Sequence, residues 1–147
     1  MVYRRWIAKH GGVYVAVNDD TPPNPYLQHL LNRDIVTEQG QKLTLINPAY
    51  MTRQVYELAA QQYGAQGHIT SLKPLRPQNA PDEWEKQCLE IFTSNSAEIY
   101  SIETIDHAEY LRLIYPMITE QRCLKCHAHQ GYSVGDIRGG ISVSYSV

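Results

Sequence analysis

Glu98–Ile105, EIYSIETI, and Tyr110–Ile118, YLRLIYPMI, are two β-rich runs joined across Asp106-His-Ala-Glu109. Aromatic and β-branched residues dominate both, and a short polar connection of this kind closes a hairpin. The chain ends on a third such run, a strand read over Gly140–Val147 that closes with Ile141-Ser-Val-Ser-Tyr-Ser-Val147. Three strands near one end favour antiparallel pairing over right-handed parallel crossovers.

Working outward, Tyr3–His10 reads as the last turns of a helix stopped by Gly11-Gly12, with Val13–Val17 a strand directly after it. Asn18–Tyr26 holds three prolines and two aspartates and reads as a surface loop. Lys42–Ile46 is a short strand. Asn47 then caps a helix with Pro48 at its first position, running to about Tyr63, with Met51, Val55, Leu58 and Ala59 as its apolar face. His68–Leu72 reads as a strand and Lys73–Ala80 as a Pro-rich loop. Pro81 opens a helix with acids in its first turn and Trp84, Cys88 and Ile91 on one face. A helical turn is expected over Glu120–Ala128.

The 147 residues argue for one domain, and 43% hydrophobic with 19% charged residues argue for a folded one. Thirteen Lys and Arg against fifteen Asp and Glu give a formal charge of -2, with no basic block to neutralise a row of phosphates. No nucleic-acid partner is expected. No apolar run reaches the length of a membrane span, and Met1-Val-Tyr-Arg-Arg has no signal-peptide core behind it. Ending in a strand, the chain reads as an excised domain, a natural terminus that finishes in a strand being the other reading.

Three cysteines are too few for a disulfide scaffold, but two of them share Cys123-Leu-Lys-Cys126-His127. CxxCH is the attachment sequence of c-type heme. Residues three apart share a face of a helical turn, so both thiols reach the vinyl groups on one edge of a porphyrin. His127, next in line, supplies the proximal imidazole to the iron. The rival is a zinc ion on Cys123, Cys126, His127 and His129. Structural zinc sites draw ligand pairs from separated segments, and neighbouring donors chelate poorly, which favours heme c. A thioredoxin-like dithiol ranks lower, because no matching βαβ pattern surrounds the motif.

On four segments, HGGVYVAVNDDTPPNPYL, LTLINPAYMTRQ, HITSLKPLRPQNAPDEWE and CLKCHAHQGYSVGDIRGGISV, the chain resembles the c-type heme PAS-like sensor domains. These sit outside the membrane in bacterial histidine kinases, chemotaxis receptors and diguanylate cyclase-type enzymes. The resemblance implies an α+β fold, a PAS-like antiparallel sheet of about five strands flanked by helices. It also implies a covalently attached heme c near the C-terminal end and a downstream signalling domain of the same receptor beyond Val147. Heme attachment places the domain in the periplasm, and a homodimer is open. The expected role is a non-enzymatic sensor of redox state or of a diatomic gas, acting through a change of axial ligation. The alternative is a monoheme c-type electron carrier, which needs both axial ligands fixed.

Met51 is the first candidate for the second axial position, since thioether ligation suits c-type heme; its other reading is a core stripe with Val55 and Leu58. His10, His68, Cys88 and water are the remaining candidates. For His10 the other reading is a partner of the helix dipole, for His68 a satisfied half-buried histidine, and for Cys88 a buried thiol. His29, His107 and His129 read as solvent-facing and Met117 as core. Arg53, Arg76, Arg122 and Arg138 are the arginines placed to serve heme propionates, each also readable as a surface charge.

Overall fold

The computed structural model describes residues 2–93 and 95–147, which divide into two compact units, one ending at Thr52 and one of Arg53–Val147. The first opens with α1 (Val2–His10), whose last turn carries Lys9 and His10 before Gly11 at φ 75°. β1 (Val13–Ala16), β2 (Asp34–Val36) and β3 (Lys42–Ile46) follow, and the order β1-β3-β2 makes an antiparallel three-stranded sheet. β3 is central, pairing Val13 with Ile46 on one side and Asp34 with Thr44 on the other. Thr44, fully buried, donates its hydroxyl to Asp34 at 2.7 Å. Arg33 binds the same carboxylate, and its hydrogen bonds with those of Thr44 hold the Asp34 carboxyl below its ordinary range.

α2 (Pro48–Tyr63) begins in this unit and continues into the next. Asn47 Oδ1 accepts from the backbone N of Tyr50 at 2.9 Å, the N-cap bond expected of it, with Pro48 at the first helical position. Its buried residues in the first unit are Tyr50, bonded through its hydroxyl to the Pro22 carbonyl, and Thr52. The apolar stripe read from spacing is thus only partly a core face: Leu58 is 56% exposed.

The second unit adds β4 (Gln66–Thr70), α3 (Glu83–Ile91), β5 (Ile99–Ile105), β6 (Ala108–Ile118), the short α4 (Leu124–His127) and β7 (Ile137–Ser146). The order β4-β7-β6-β5 is antiparallel throughout. The fold is α+β with the expected PAS-like antiparallel character. Its strands are shared between sheets of three and four instead of one sheet of about five. β5 and β6 form the hairpin read from sequence, closed by Asp106 and His107 alone, both at positive φ (48° and 67°). Two such residues make the primed turn whose twist matches the strands.

α3 starts two residues later than Pro81 suggests. Pro81 lies outside, and Asp82 is the N-cap in a capping box, its carboxylate accepting from Glu85 N at 2.8 Å while Glu85 accepts from Asp82 N at 3.1 Å. The buried core is Cys88, Leu89, Phe92 and Ile114, with Trp84, Ile99 and Ile137 packed on it. Ile91, expected on this face, is 67% exposed. Burial raises the Cys88 thiol pKa, so the sulfur stays protonated among its apolar neighbours.

The β6–β7 pairing has one irregularity: from Pro116↔Gly140 to Ile118↔Ile137, two steps on β6 face three on β7. The extra residue is a β-bulge at Gly139, where a Cβ would stand 2.2 Å from the Thr70 carbonyl oxygen. Backbone approach closes that place to any side chain.

Candidate heme-attachment turn

The motif sits at the tip of the β6–β7 pair. Thr119 N donates to the Asp136 carbonyl and Gly135 N to the Thr119 carbonyl, both at 2.8 Å, so residues 119–136 leave and rejoin the sheet at one place. Between these points the chain winds through a 3-10 turn (Gln121–Cys123), α4, and a second 3-10 turn (Ala128–Gln130). Gly131 at φ 79° stops the winding.

Glu120 fixes the entry. Its carboxylate pairs with Arg122, its carbonyl accepts from Cys123 N at 2.8 Å, and its N–H donates to Cys123 Sγ at 3.3 Å. Cys123 is half-buried with its thiol free. Cys126 belongs to α4 by its backbone, and its side chain lies outside the described residues.

His127 is half-buried and held on both sides. Nδ1 lies 2.5 Å from Gln130 Oε1, and Gln130 donates through Nε2 to the Lys73 carbonyl at 3.2 Å. An amide oxygen accepts, so Nδ1 carries the proton and the lone pair is left on Nε2. Arg138 Nη1 stands 3.5 Å from that Nε2. The arginine is anchored by its own carbonyl, which accepts from Ser71 Oγ at 2.8 Å, while its Nε is buried with no hydrogen-bond partner among the described residues. Lys73 stands over the Tyr132 ring at 5.7 Å, adding a second cation beside the turn.

These residues fit an iron porphyrin. An imidazole whose Nδ1–H is bonded to an oxygen presents an oriented, more basic Nε2 to a metal. The unsatisfied Nε of Arg138 is a donor in want of an anion such as a propionate. Gln130 was not singled out from sequence, although its spacing of three from His127 on a helical turn is a usable signal. Arg138 comes to His127 only through closure of β6 on β7.

The model of the Tll0287-like family matches residues 13–146, nearly the whole chain. The chain belongs to the Tll0287-like family. Among solved structures, the crystal structure of the cyanobacterial heme-protein Tll0287 matches with a TM-score of 0.54 at 20% identity, covering 67% of this chain and 70% of that one. At that identity the likeness establishes a common fold. No curated protein matches.

In this Tll0287-like chain, His68 uses both ring nitrogens in the second unit: Nδ1 lies 2.9 Å from Glu85 and Nε2 2.8 Å from the Gln78 carbonyl. It is the satisfied half-buried histidine, with neither nitrogen left for a metal. His10 is exposed and its ring lies 4.5 Å from that of Trp6. Met51 is half-buried in the first turn of α2, in the first unit. Cys88 and Met117 are buried, and His29, His107 and His129 are exposed. Of the four arginines, Arg138 is brought to His127; Arg122 pairs with Glu120, and Arg53 and Arg76 line a cleft beside β4. No helix among the described residues is long and apolar enough to cross a membrane.

Proposed function

We propose that the chain is an extracytoplasmic heme-c sensor domain, holding its cofactor through thioethers at Cys123 and Cys126 with His127 as proximal ligand. The observation that carries this is the CxxCH turn in which Gln130 accepts a hydrogen bond from the Nδ1–H of His127 and leaves the Nε2 lone pair for a metal. Membership of a family whose solved relative is named a heme protein supports it.

When bound, the heme supplies an iron that changes oxidation state and exchanges its sixth ligand. The protein's part is to hold one imidazole with a fixed tautomer, to place Arg138 for an anionic substituent, and to tie the turn to the sheet through Thr119 and Ser71. Because the turn lies between two paired strands, a shift of His127 is passed directly to β6 and β7. A downstream domain of the same receptor is the proposed recipient, and redox state or a diatomic gas the proposed signal. Met51 is proposed as the second axial ligand on the strength of its thioether chemistry. Thioether formation needs reduced thiols and maturation machinery acting outside the bacterial cytoplasmic membrane, which makes the periplasm the proposed location.

The test is export of the chain in a host competent for cytochrome c maturation. A mass adduct at Cys123 and Cys126 and a c-type pyridine hemochrome are expected; colourless protein without adduct overturns the reading. Sensing is checked on the reduced protein, where CO or NO or the reduction itself is expected to change the ligation spectrum. Unchanged spectra in all three comparisons remove the trigger. Met51→Ala is expected to alter the spectrum in both redox states and His10→Ala to leave it unchanged.

A further inference from the structure

Beside β4, within the second unit, an open cleft of about 290 Å³ is bordered by α2, β4 and the loop that carries Arg76. Arg53 and Glu57 of α2, His68 of β4 and Arg76 supply its charge; the Tyr56 ring and Ile69 supply apolar wall. Gly67 makes the cleft's base by having no side chain: the Tyr56 ring lies where a Cβ would be, 2.2 Å from the nearest ring carbon.

The charge balance is uneven. His68 has an acceptor on each ring nitrogen, Glu85 and the Gln78 carbonyl, and only an imidazolium donates to both. The Glu85 bond, foremost among the causes, raises its pKa accordingly. Three cations thus meet two carboxylates, Glu57 and the buried Glu85, and Glu85 is turned to His68 and Ser142. Arg76 is half-buried, and its guanidinium has no hydrogen-bond or ion-pair partner among the described residues. A partly desolvated guanidinium with nothing to bind is costly unless an anion joins it.

We propose that this cleft is a binding site for a small organic carboxylate, with Arg76 as the fork that grips it and Tyr56 and Ile69 as walls for its carbon chain. Volume sets the size. Small-molecule sites begin at roughly 300 Å³, so this cleft takes a short acid and not a porphyrin. The apolar wall favours an organic acid over inorganic phosphate, which has no carbon chain to cover. The site is separate from the CxxCH turn, and its existence does not depend on heme attachment.

Succinate is the probe, titrated into the full chain by isothermal calorimetry with inorganic phosphate as comparison. Saturable binding of succinate, tighter than phosphate, is expected. Arg76→Gln should weaken it roughly ten- to a hundredfold, as for loss of a charge-assisted pair, with the far-ultraviolet circular dichroism unchanged. Arg76→Lys, which keeps the charge and loses the planar fork, should fall between. Absence of saturable heat with succinate, phosphate binding as tight or tighter, or equal affinity in all three proteins overturns the proposal.

Discussion

Nδ1 of His68 stands 2.9 Å from both carboxylate oxygens of Glu85, a side chain only 1% exposed. This pair joins β4 to α3, and it is one edge of a larger polar cluster. Ser142 of β7 donates its hydroxyl to the same carboxylate, Arg112 of β6 lies 3.8 Å from it, and Arg112 in turn binds Asp82 at 2.6 Å while covering the Trp84 ring at 4.3 Å. Burial alone would raise the Glu85 pKa; its bonds to His68 and Ser142 outweigh that and lower it. The carboxylate thus accepts from β4, β7 and its own helix cap, with the guanidinium of Arg112 on β6 as a nearby countercharge.

The two shifts bracket a window of maximal stability. The folded pKa of His68 lies above its ordinary 6.5, so its contribution is complete below that value and lost as pH rises through the folded one. That of Glu85 lies below its ordinary 4.5, so its contribution is complete above that value and lost as pH falls. Stability from the pair should therefore be greatest between these values. His68→Gln should remove the alkaline loss at a cost of about 1 kcal/mol, less than a fully buried charged hydrogen bond because the imidazole is over a third exposed. Urea unfolding across a pH series checks it: a difference profile between the two proteins that is flat from acid to alkaline pH refutes the assignment.

Gly139→Ala should be far more damaging than a surface alanine. Its Cβ would meet the Thr70 carbonyl oxygen at 2.2 Å, and that atom is backbone in a paired strand. We expect a loss of more than about 2 kcal/mol, typical of overpacking against an unyielding neighbour. Because Gly139 adjoins Arg138 in β7, the heme-loaded variant should also show an altered midpoint potential. Unfolding midpoints equal to those of the parent would show that the bulge relaxes freely.

The parts of the molecule legible in its sequence are those with local causes. Pro48 behind Asn47 fixed the start of α2, Gly11 the end of α1, and the polar tetrapeptide after Ile105 the hairpin. CxxCH is equally local. β2 escaped notice because its three residues are all exposed and carry no alternation. β4 begins two residues before the strand expected over His68–Leu72, because Gln66 and Gly67 do not look like strand formers and pairing with β7 imposes the conformation on them. Glu85 was not singled out from sequence. The spacing Asp82-x-x-Glu85 signals a capping box, but nothing local reveals that His68, 2.9 Å away, will bury its charge. Arg138 is legible as one of four arginines but not as the one beside the motif, since His127 is met only when β7 folds back on β6.

His107→Gly should stabilise the chain by roughly 0.5 kcal/mol. Position 107 sits at φ 67° in a two-residue hairpin turn, where glycine has no Cβ to strain and histidine does. His107 is exposed, so little packing is lost. Thermal melts of the two proteins decide the matter, and an unchanged or lower midpoint would mean that unfolded-state entropy cancels the relief of strain.

Gln130→Leu tests whether the second contact of His127 is functional. Leucine is of similar size and has no acceptor for the Nδ1 proton, so the imidazole loses the bond that orients it and makes Nε2 more electron-rich. A less basic axial ligand stabilises ferric iron less, and the midpoint potential of the heme-loaded protein should rise. Gln130→Glu, which places a full negative charge on the same atom, should move it the other way. Spectroelectrochemical titration of the three proteins gives the order directly. If all three titrate together while thermal melts show the fold intact, Gln130 only pins the turn to the Lys73 carbonyl and has no hold on the iron.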